Sequence, residues 1–277
     1  MITGTTEFIA HIGYPTHTFK SPSIYNPYFE RAQIDAVLIP VACEPGPFPG
    51  VLKALFEVRN MRGAVITMPH KVSILPLLDH LSPAARVAGA CNAVRRSADG
   101  GLEGDMFDGI GFVRAVQRQG LVVPGARVLI VGAGGVGSAI AASLAAAGAG
   151  AIALFDSRTE VAEALAARIA EHCPQVQLRT GSSDADGYDL VVNATPMGMN
   201  VGDPMPLDVT RVMSGSIVCD VVHSAKPTAF LMAAQARGAR IQGGADMLYE
   251  QIPAYLEFFG LPSTTAESLR AADTKHA

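Results

Sequence analysis

Val128-Leu-Ile-Val131-Gly132-Ala133-Gly134-Gly135-Val136-Gly137 is the stretch whose reading decides the fold. A β-branched apolar run enters a glycine cluster, and the residues that follow, Ser138–Ala147, are mostly alanine, which suits a buried helix. A second apolar run, Ala151–Phe155, comes next. No charged residue lies between Val128 and Phe155, and about 20 apolar residues are enough to cross a bilayer. Glycines at 132, 134, 135, 137, 148 and 150 interrupt the run, however. It therefore reads as strand, turn, helix and strand, with strands apolar on both faces as in a parallel sheet covered by helices.

Gly132-Ala-Gly134-Gly135-Val-Gly137 fits G-x-G-x-x-G directly after a strand and at the head of a helix, the context in which the pattern has meaning. Without Cβ atoms, backbone N–H groups can close on a pyrophosphate at the positive end of the helix. A glycine-rich turn that merely packs helix on strand is the alternative. The next strand ends in Phe155-Asp156-Ser157-Arg158-Thr159. Asp156 stands close to the offset of about 20 residues at which an acid accepts hydrogen bonds from the adenosine ribose. A carboxylate there binds the free hydroxyls of NAD and repels the 2′-phosphate of NADP. Arg158 pulls the other way, but Glu160 follows it and the next basic residue is Arg168. NAD is therefore expected ahead of NADP, with capping of the next helix as the other role open to Asp156. A later strand ends in Asn193-Ala194-Thr195-Pro196-Met-Gly198-Met199. This makes a loop at the carboxyl edge of the sheet, where doubly wound folds bind ligands. Asn193 either holds that loop or contacts the nicotinamide ribose.

Outward from this core the chain alternates strand and helix signals. Phe8–Gly13, Ala36–Val41 and Gly63–Thr67 read as strands, Phe48–Glu57 and the stretch around Lys71–Leu81 as helices, and Gly109–Gln119 as a linking helix. Leu190–Asn193 and Ile217–Val221 continue the second sheet, Met247–Phe259 is an amphipathic helix, and the small polar tail beyond Pro262 is expected to fray. At roughly 150 residues per domain, 277 residues make two. The expected fold class is α/β. A mixed α/β domain spans 1–107, a Rossmann-type doubly wound parallel sheet spans 108–245, and the C-terminal helix of 246–277 packs back on the first domain. With 49% hydrophobic and 17% charged residues the chain is not a disordered one, and a net charge of −4 argues against nucleic acid as partner. Cys43, Cys91, Cys173 and Cys219 are widely spaced with no metal-ligand pattern, so buried free thiols are expected, with no metal. No leader or membrane span is read in the N-terminus, and a cytoplasmic location is expected. His11, His17, His80, His172 and His276 show no partner pattern and read as ordinary surface or core residues.

The first domain also carries Val65-Ile-Thr67-Met-Pro69-His70-Lys71, Gly89-Ala-Cys-Asn92 and Asp108-Gly109-Ile-Gly111-Phe112. Singly these are a surface lysine, a turn and a helix cap. Together they supply an ammonium that can exchange a proton with an alcohol oxygen and a carboxylate that can hold both, which hydride transfer needs. With Lys20-Ser21-Pro22, Ser157-Arg-Thr159, the Asn193–Met199 loop and Met247-Leu248-Tyr-Glu-Gln251, the whole series resembles the shikimate dehydrogenase family over nearly the full chain.

That resemblance implies a substrate domain, a cofactor domain and a cleft between them. It implies Lys71 and Asp108 as the catalytic pair and Ser21, Thr67, Asn92 and Gln251 as substrate contacts. For the cofactor it implies Gly132, Ala133, Gly134, Gly135, Val136, Asp156, Ser157, Arg158, Asn193, Ala194, Thr195, Pro196, Val221, Gly244, Met247 and Leu248. The expected partner is a hydroxylated ring carboxylate, with a homodimer as the assembly to consider. The departures cluster around the substrate: Phe19 replaces a serine, Val65 an asparagine, Met106-Phe107 an Asn-Thr pair and His223 a tyrosine. Each removes a donor or acceptor, at a cost on the order of 1.5–3 kcal/mol for a charge-assisted bond. Quinate or an amino-substituted shikimate therefore stands beside shikimate as substrate. The alternatives are an NADP-dependent biosynthetic enzyme and, outside enzymes, an idle NAD-binding sensor.

Overall fold

The computed structural model describes residues 2–200, 202–222, 224 and 226–273. The chain divides into two compact units, one running to Phe107 and resuming at Gln251, the other formed by Asp108–Glu250.

The first unit opens with β1 (Glu7–Gly13), α1 (Ser21–Arg31), β2 (Ala36–Ala42), α2 (Phe48–Phe56) and β3 (Met61–Ile66), followed by β4 (His80–Leu81), α3 (Pro83–Ala88), β5 (Ala93–Arg96) and β6 (Leu102–Asp105). Its sheet has the order β2-β1-β3-β5-β6-β4. The strands β1, β2 and β3 are parallel, whereas β5 runs antiparallel to both β3 and β6. One face of the parallel part, with Ala10, Ile12, Ala64 and Ile66, packs on Phe48, Leu52 and Phe56 of α2. Alternation along the strands puts Ile9 and His11 of β1 and Gly63 and Val65 of β3 on the opposite face. The free edge of β2 is covered by Asn26 of α1, whose amide both donates to and accepts from the Leu38 backbone at 3.0 and 2.7 Å.

The second unit contains α4 (Asp108–Arg118), β7 (Arg127–Val131), α5 (Gly135–Ala146), β8 (Ala151–Phe155), α6 (Thr159–His172), β9 (Gln177–Thr180), β10 (Leu190–Asn193), β11 (Ile217–Asp220), α7 (Ala229–Ala236) and β12 (Arg240–Gln242). All its strands are parallel, in the order β12-β11-β10-β7-β8-β9. This is the doubly wound order in which the winding reverses between β7 and β10, and ligands bind at the carboxyl ends beside that reversal. Burial of β7 and β10 on both faces explains their unbroken apolar sequences. The chain then enters α8 (Gly244–Phe258), which carries it back into the first unit, and α9 (Ala266–Asp273). Among the described residues no helix is long and apolar enough to cross a membrane. Cys43, Cys91, Cys173 and Cys219 are free thiols.

Two sequence expectations fail. The stretch around Lys71–Leu81 holds only a short 3-10 turn at Leu75–Leu77 and the strand β4. The Lys71 carbonyl, which a helix would use within its own turn, instead accepts the Cys91 N–H at 2.8 Å. Ile74 also anchors the segment sideways in the core. The polar tail beyond Pro262 does not fray at once: α9 forms, with the Thr265 hydroxyl accepting the Ser268 N–H and Leu269 buried.

Candidate active site

In the second unit the glycine loop joins β7 to the 12-residue α5. Gly132 sits at φ +102°, a conformation open to glycine, and a Cβ at Gly137 would lie 1.9 Å from the Gly132 carbonyl oxygen. A Cβ at Gly134 would meet nothing within 4 Å. The loop is thus closed beneath and open above, at a helix N-terminus headed by Gly135 and Val136, which fits a dinucleotide pyrophosphate. Asp156, just past β8, accepts the Ala133 N–H at 2.8 Å and the Arg158 N–H at 3.0 Å. Burial works against its charge, but these two donors and the Arg158 guanidinium, 3.7 Å away, hold the carboxyl below its ordinary range. Asp156 is therefore a carboxylate tied to the glycine loop, and it does not cap α6, whose N-cap is Arg158 without a side-chain bond. Ser157 and Arg158 are exposed beside it.

The loop after β10 is built around Asn193, which is fully buried. Its Nδ2 donates to the Met197 carbonyl and to Asp220 Oδ1, both at 3.0 Å, and its Oδ1 accepts the Thr195 N–H and hydroxyl at 3.0 and 2.6 Å. All four hydrogen-bonding positions of the amide are used. Of the two roles open to Asn193, holding the loop is the one its bonds fill. Burial raises the pKa of Asp220 at the end of β11; the Thr228 hydroxyl at 2.7 Å, the Val222 N–H and Asn193 oppose that rise. Ala194 packs against Gly132, Thr195 and Pro196 continue the loop, Val221 donates its N–H to the Asn193 carbonyl at 3.0 Å, and Gly244 lies against the Val221 carbonyl. Met247 and Leu248 are buried on α8. These groups share the carboxyl edge of one sheet.

In the first unit the candidate substrate residues also gather at the carboxyl ends of parallel strands. Ser21 opens α1 and is buried. Thr67 follows β3 and donates its N–H to Ile12 of β1 at 2.9 Å. Asn92 is fully buried and stitched on both sides: its carbonyl accepts the Ile66 N–H at 2.8 Å and its N–H donates to the Asp105 carbonyl at 2.9 Å. Its Oδ1 accepts the Phe107 N–H at 2.9 Å, while its Nδ2 is buried with no hydrogen-bond partner among the described residues. Gln251 is likewise buried, and its Oε1 has none. Tyr255, one turn along α8 from Gln251, donates to the Asn92 carbonyl at 3.4 Å, so Gln251 lies on the helix face that meets Asn92. Lys71 is half-buried, bound through its carbonyl to the residue before Asn92. Asp108, the next residue after Phe107, is 3% exposed in the first turn of α4.

His11, read from the sequence as an ordinary surface or core residue, is a core histidine: it is 5% exposed, its Nδ1 has no hydrogen-bond partner among the described residues, and its ring stacks on Phe19 at 4.0 Å. Burial, helped by the nearby Lys71 charge, lowers its pKa to about 3. A histidine among aliphatic residues in a strand was the available signal, but only the strand register shows what lies beside it. The other histidines are structural or exposed: His70 stacks on Phe48 and binds the Cys43 carbonyl, His80 pairs with Asp99 on the surface, and His172 bonds the Arg168 carbonyl. His17 is exposed, while His223 and His276 lie outside the described residues. Met106 and Phe107 are buried, with Phe107 packed edge-on to Tyr255 and Phe258. An aromatic cluster thus occupies the position at which the family that the chain resembles has an Asn-Thr pair.

Comparison with known proteins agrees with this layout. The family model described as shikimate dehydrogenase substrate binding domain matches residues 11–94, and a ThiF family model matches residues 122–161. The chain is 33% identical over 275 residues to the shikimate dehydrogenase (NADP(+)) of Rubrobacter xylanophilus, covering 98% of this chain and 96% of that one. It superimposes with a TM-score of 0.88 on shikimate 5-dehydrogenase from Listeria monocytogenes in complex with shikimate and NAD, at 27% identity over 98% of this chain and 97% of that one. Quinate dehydrogenase from Corynebacterium glutamicum in complex with NAD gives 0.85, at 28% identity over 98% and 99%.

Proposed function

Because the chain belongs to the shikimate dehydrogenase family, an oxidoreductase family that works with NAD(P), we propose that it reversibly oxidises a ring hydroxyl of shikimate, quinate or a close relative, with NAD ahead of NADP. The observation that carries this reading is the pair of buried, unpartnered polar atoms, Asn92 Nδ2 and Gln251 Oε1. A buried donor and a buried acceptor in the same unit suit a polyhydroxylated ring, since leaving them unmet costs about 1–3 kcal/mol each.

The glycine loop and Asp156 would hold NAD(P), whose nicotinamide would supply hydride acceptance there. In the oxidative direction the Lys71 amine, directly or through a water, takes the proton of the reacting hydroxyl and becomes the ammonium, which gives the proton back in the reductive direction, and Asp108 holds that hydroxyl. Ser21 meets the ring carboxylate at the N-terminus of α1, where the helix dipole favours an anion. Thr67, Asn92 and Gln251 bind the remaining hydroxyls. Asp156 supports NAD: it is held charged by Ala133 and Arg158, and a 2′-phosphate beside it would meet repulsion. The NADP reading draws on the name of the Rubrobacter relative and on exposed Arg158.

Steady-state rates for shikimate, quinate and aminoshikimate with each cofactor test the proposal. We expect the highest kcat/KM with NAD, and a shift toward NADP in Asp156→Asn. Equal or better rates with NADP would give the cofactor assignment to the alternative. No turnover of any ring acid with either cofactor would remove the proposed activity.

A further inference from the structure

His11 sits opposite Val65 in the parallel pairing of β1 and β3. Register partners in a parallel pair point to the same side of the sheet, so imidazole and valine stand side by side on the face that also carries Gly63. Two residues on, a Cβ at Gly13 would lie 2.4 Å from Thr67 Cγ2 and 2.9 Å from Phe19 Cζ. Thr67 and Phe19 therefore both lie over this end of β1. Phe19 stacks on the imidazole at 4.0 Å and 23°, which fixes the ring plane and closes one side to water. Lys71 is near enough for its charge to act on the ring. The imidazole thus lies among Thr67, Lys71 and Phe19, with a buried nitrogen that no group among the described residues meets. A purely space-filling role would suit leucine or methionine, which carry no polar atom to desolvate.

We infer that His11 is a specificity-determining contact, giving one hydrogen bond to an uncharged hydroxyl or carbonyl of the substrate ring at a place where the adjacent strand offers only Val65. This rests on the reading of the site as one for a hydroxylated ring. Burial and the Lys71 charge keep the imidazole neutral, so it presents one N–H and one lone pair and no charge with which to pair the ring carboxylate. That leaves the carboxylate to Ser21 and assigns His11 to a ring oxygen.

The test uses shikimate, quinate and analogues that each lack one non-reacting hydroxyl, with wild type, His11→Leu and His11→Asn. His11→Leu is expected to lower kcat/KM for the full substrate by about tenfold to a hundredfold. One deoxy analogue is expected to be used equally by wild type and His11→Leu, and His11→Asn is expected to recover part of the loss. A leucine variant that discriminates against every deoxy analogue as wild type does would overturn the assignment. In parallel, the imidazole nitrogens of 15N-histidine-labelled wild type are followed by NMR as shikimate or quinate is added. A ligand-dependent change in the His11 signals, absent in His11→Leu, supports the contact even if no ring acid is turned over, in which case only the proposed activity falls. Turnover without any change at His11 overturns the contact and leaves the activity standing, and neither signal nor turnover overturns both.

Discussion

At the scale of single residues, the site depends on a few buried polar groups whose partners are either complete or conspicuously missing. On the proposed function Lys71 exchanges the proton of the reacting hydroxyl, so Lys71→Ala is expected to reduce turnover by about 10²–10⁴ while the dissociation constant for NAD, measured by fluorescence titration, stays the same. Asn193 belongs to the scaffold. Its four bonds include one to Asp220, and Asn193→Ala leaves a buried carboxylate short of a donor. Urea unfolding at neutral pH should show a loss of about 2–4 kcal/mol. Asp220 has its pKa raised by burial, so its protonated form favours folding; that contribution is complete below its ordinary value of 3.8 and disappears as pH rises through the folded value. Removing the Asn193 donor raises that pKa further. The stability gap between wild type and Asn193→Ala should therefore narrow as pH falls from 7.5 toward 5, and a gap that widened on acidification would contradict the account.

At the scale of elements, local sequence and local structure agree best where backbone conformation leaves little choice. The turn from β7 into α5 demands glycine at 132 and 137, where a side chain would meet main-chain atoms, but only an open approach at 134. Gly137→Ala should accordingly lower the melting temperature by several degrees and abolish NAD binding, a cost of at least about 2 kcal/mol. Gly134→Ala should melt within about two degrees of wild type yet bind NAD more weakly, because its methyl group projects into the space above the loop. Equal thermal losses in both would contradict this geometry. A smaller test concerns α3, where Ser82 accepts the Ala85 N–H at 3.1 Å and bonds to Asp105. Ser82→Ala should cost about 1 kcal/mol. The segment after Lys71 was less legible: its leucines read as helix, but Pro76 and the capture of the Lys71 carbonyl by Cys91 turn it into a short 3-10 piece. Periodicity records which residues are apolar, and it is silent about which distant N–H will claim a carbonyl.

At the scale of the whole molecule, the candidate cofactor groups fall in the second compact unit and the candidate groups for the ring substrate, Asp108 excepted, in the first. Binding of the two ligands should therefore be separable by mutation. Asn92→Ala, in the first unit, is expected to weaken shikimate or quinate binding about tenfold without changing the NAD dissociation constant, and Gly134→Ala to do the reverse. Isothermal titration of each variant with each ligand checks this, and a variant that weakened both equally would show that the sites are not independent.

The sequence by itself determined the four central strands of the second unit and the turn into α5, but not the edge strands β9 and β12 or the helix α7. Apolar runs, a glycine turn and an alanine-rich helix are local signals, and steric demands at Gly132 and Gly137 act within a few residues of chain. Lys71, Asp108, Asn92 and Gln251 became candidates because their short motifs follow one another in the order of the family that the chain resembles. Tertiary structure alone decided that Asn193 spends its amide on its own loop, that the tail beyond Pro262 continues into α9, and that His11 stands beside Val65 with an unmet nitrogen. Each of these depends on strand register or on burial by residues far away in sequence. The meaning of a polar side chain rests on which neighbours it finds, and the fold chooses them.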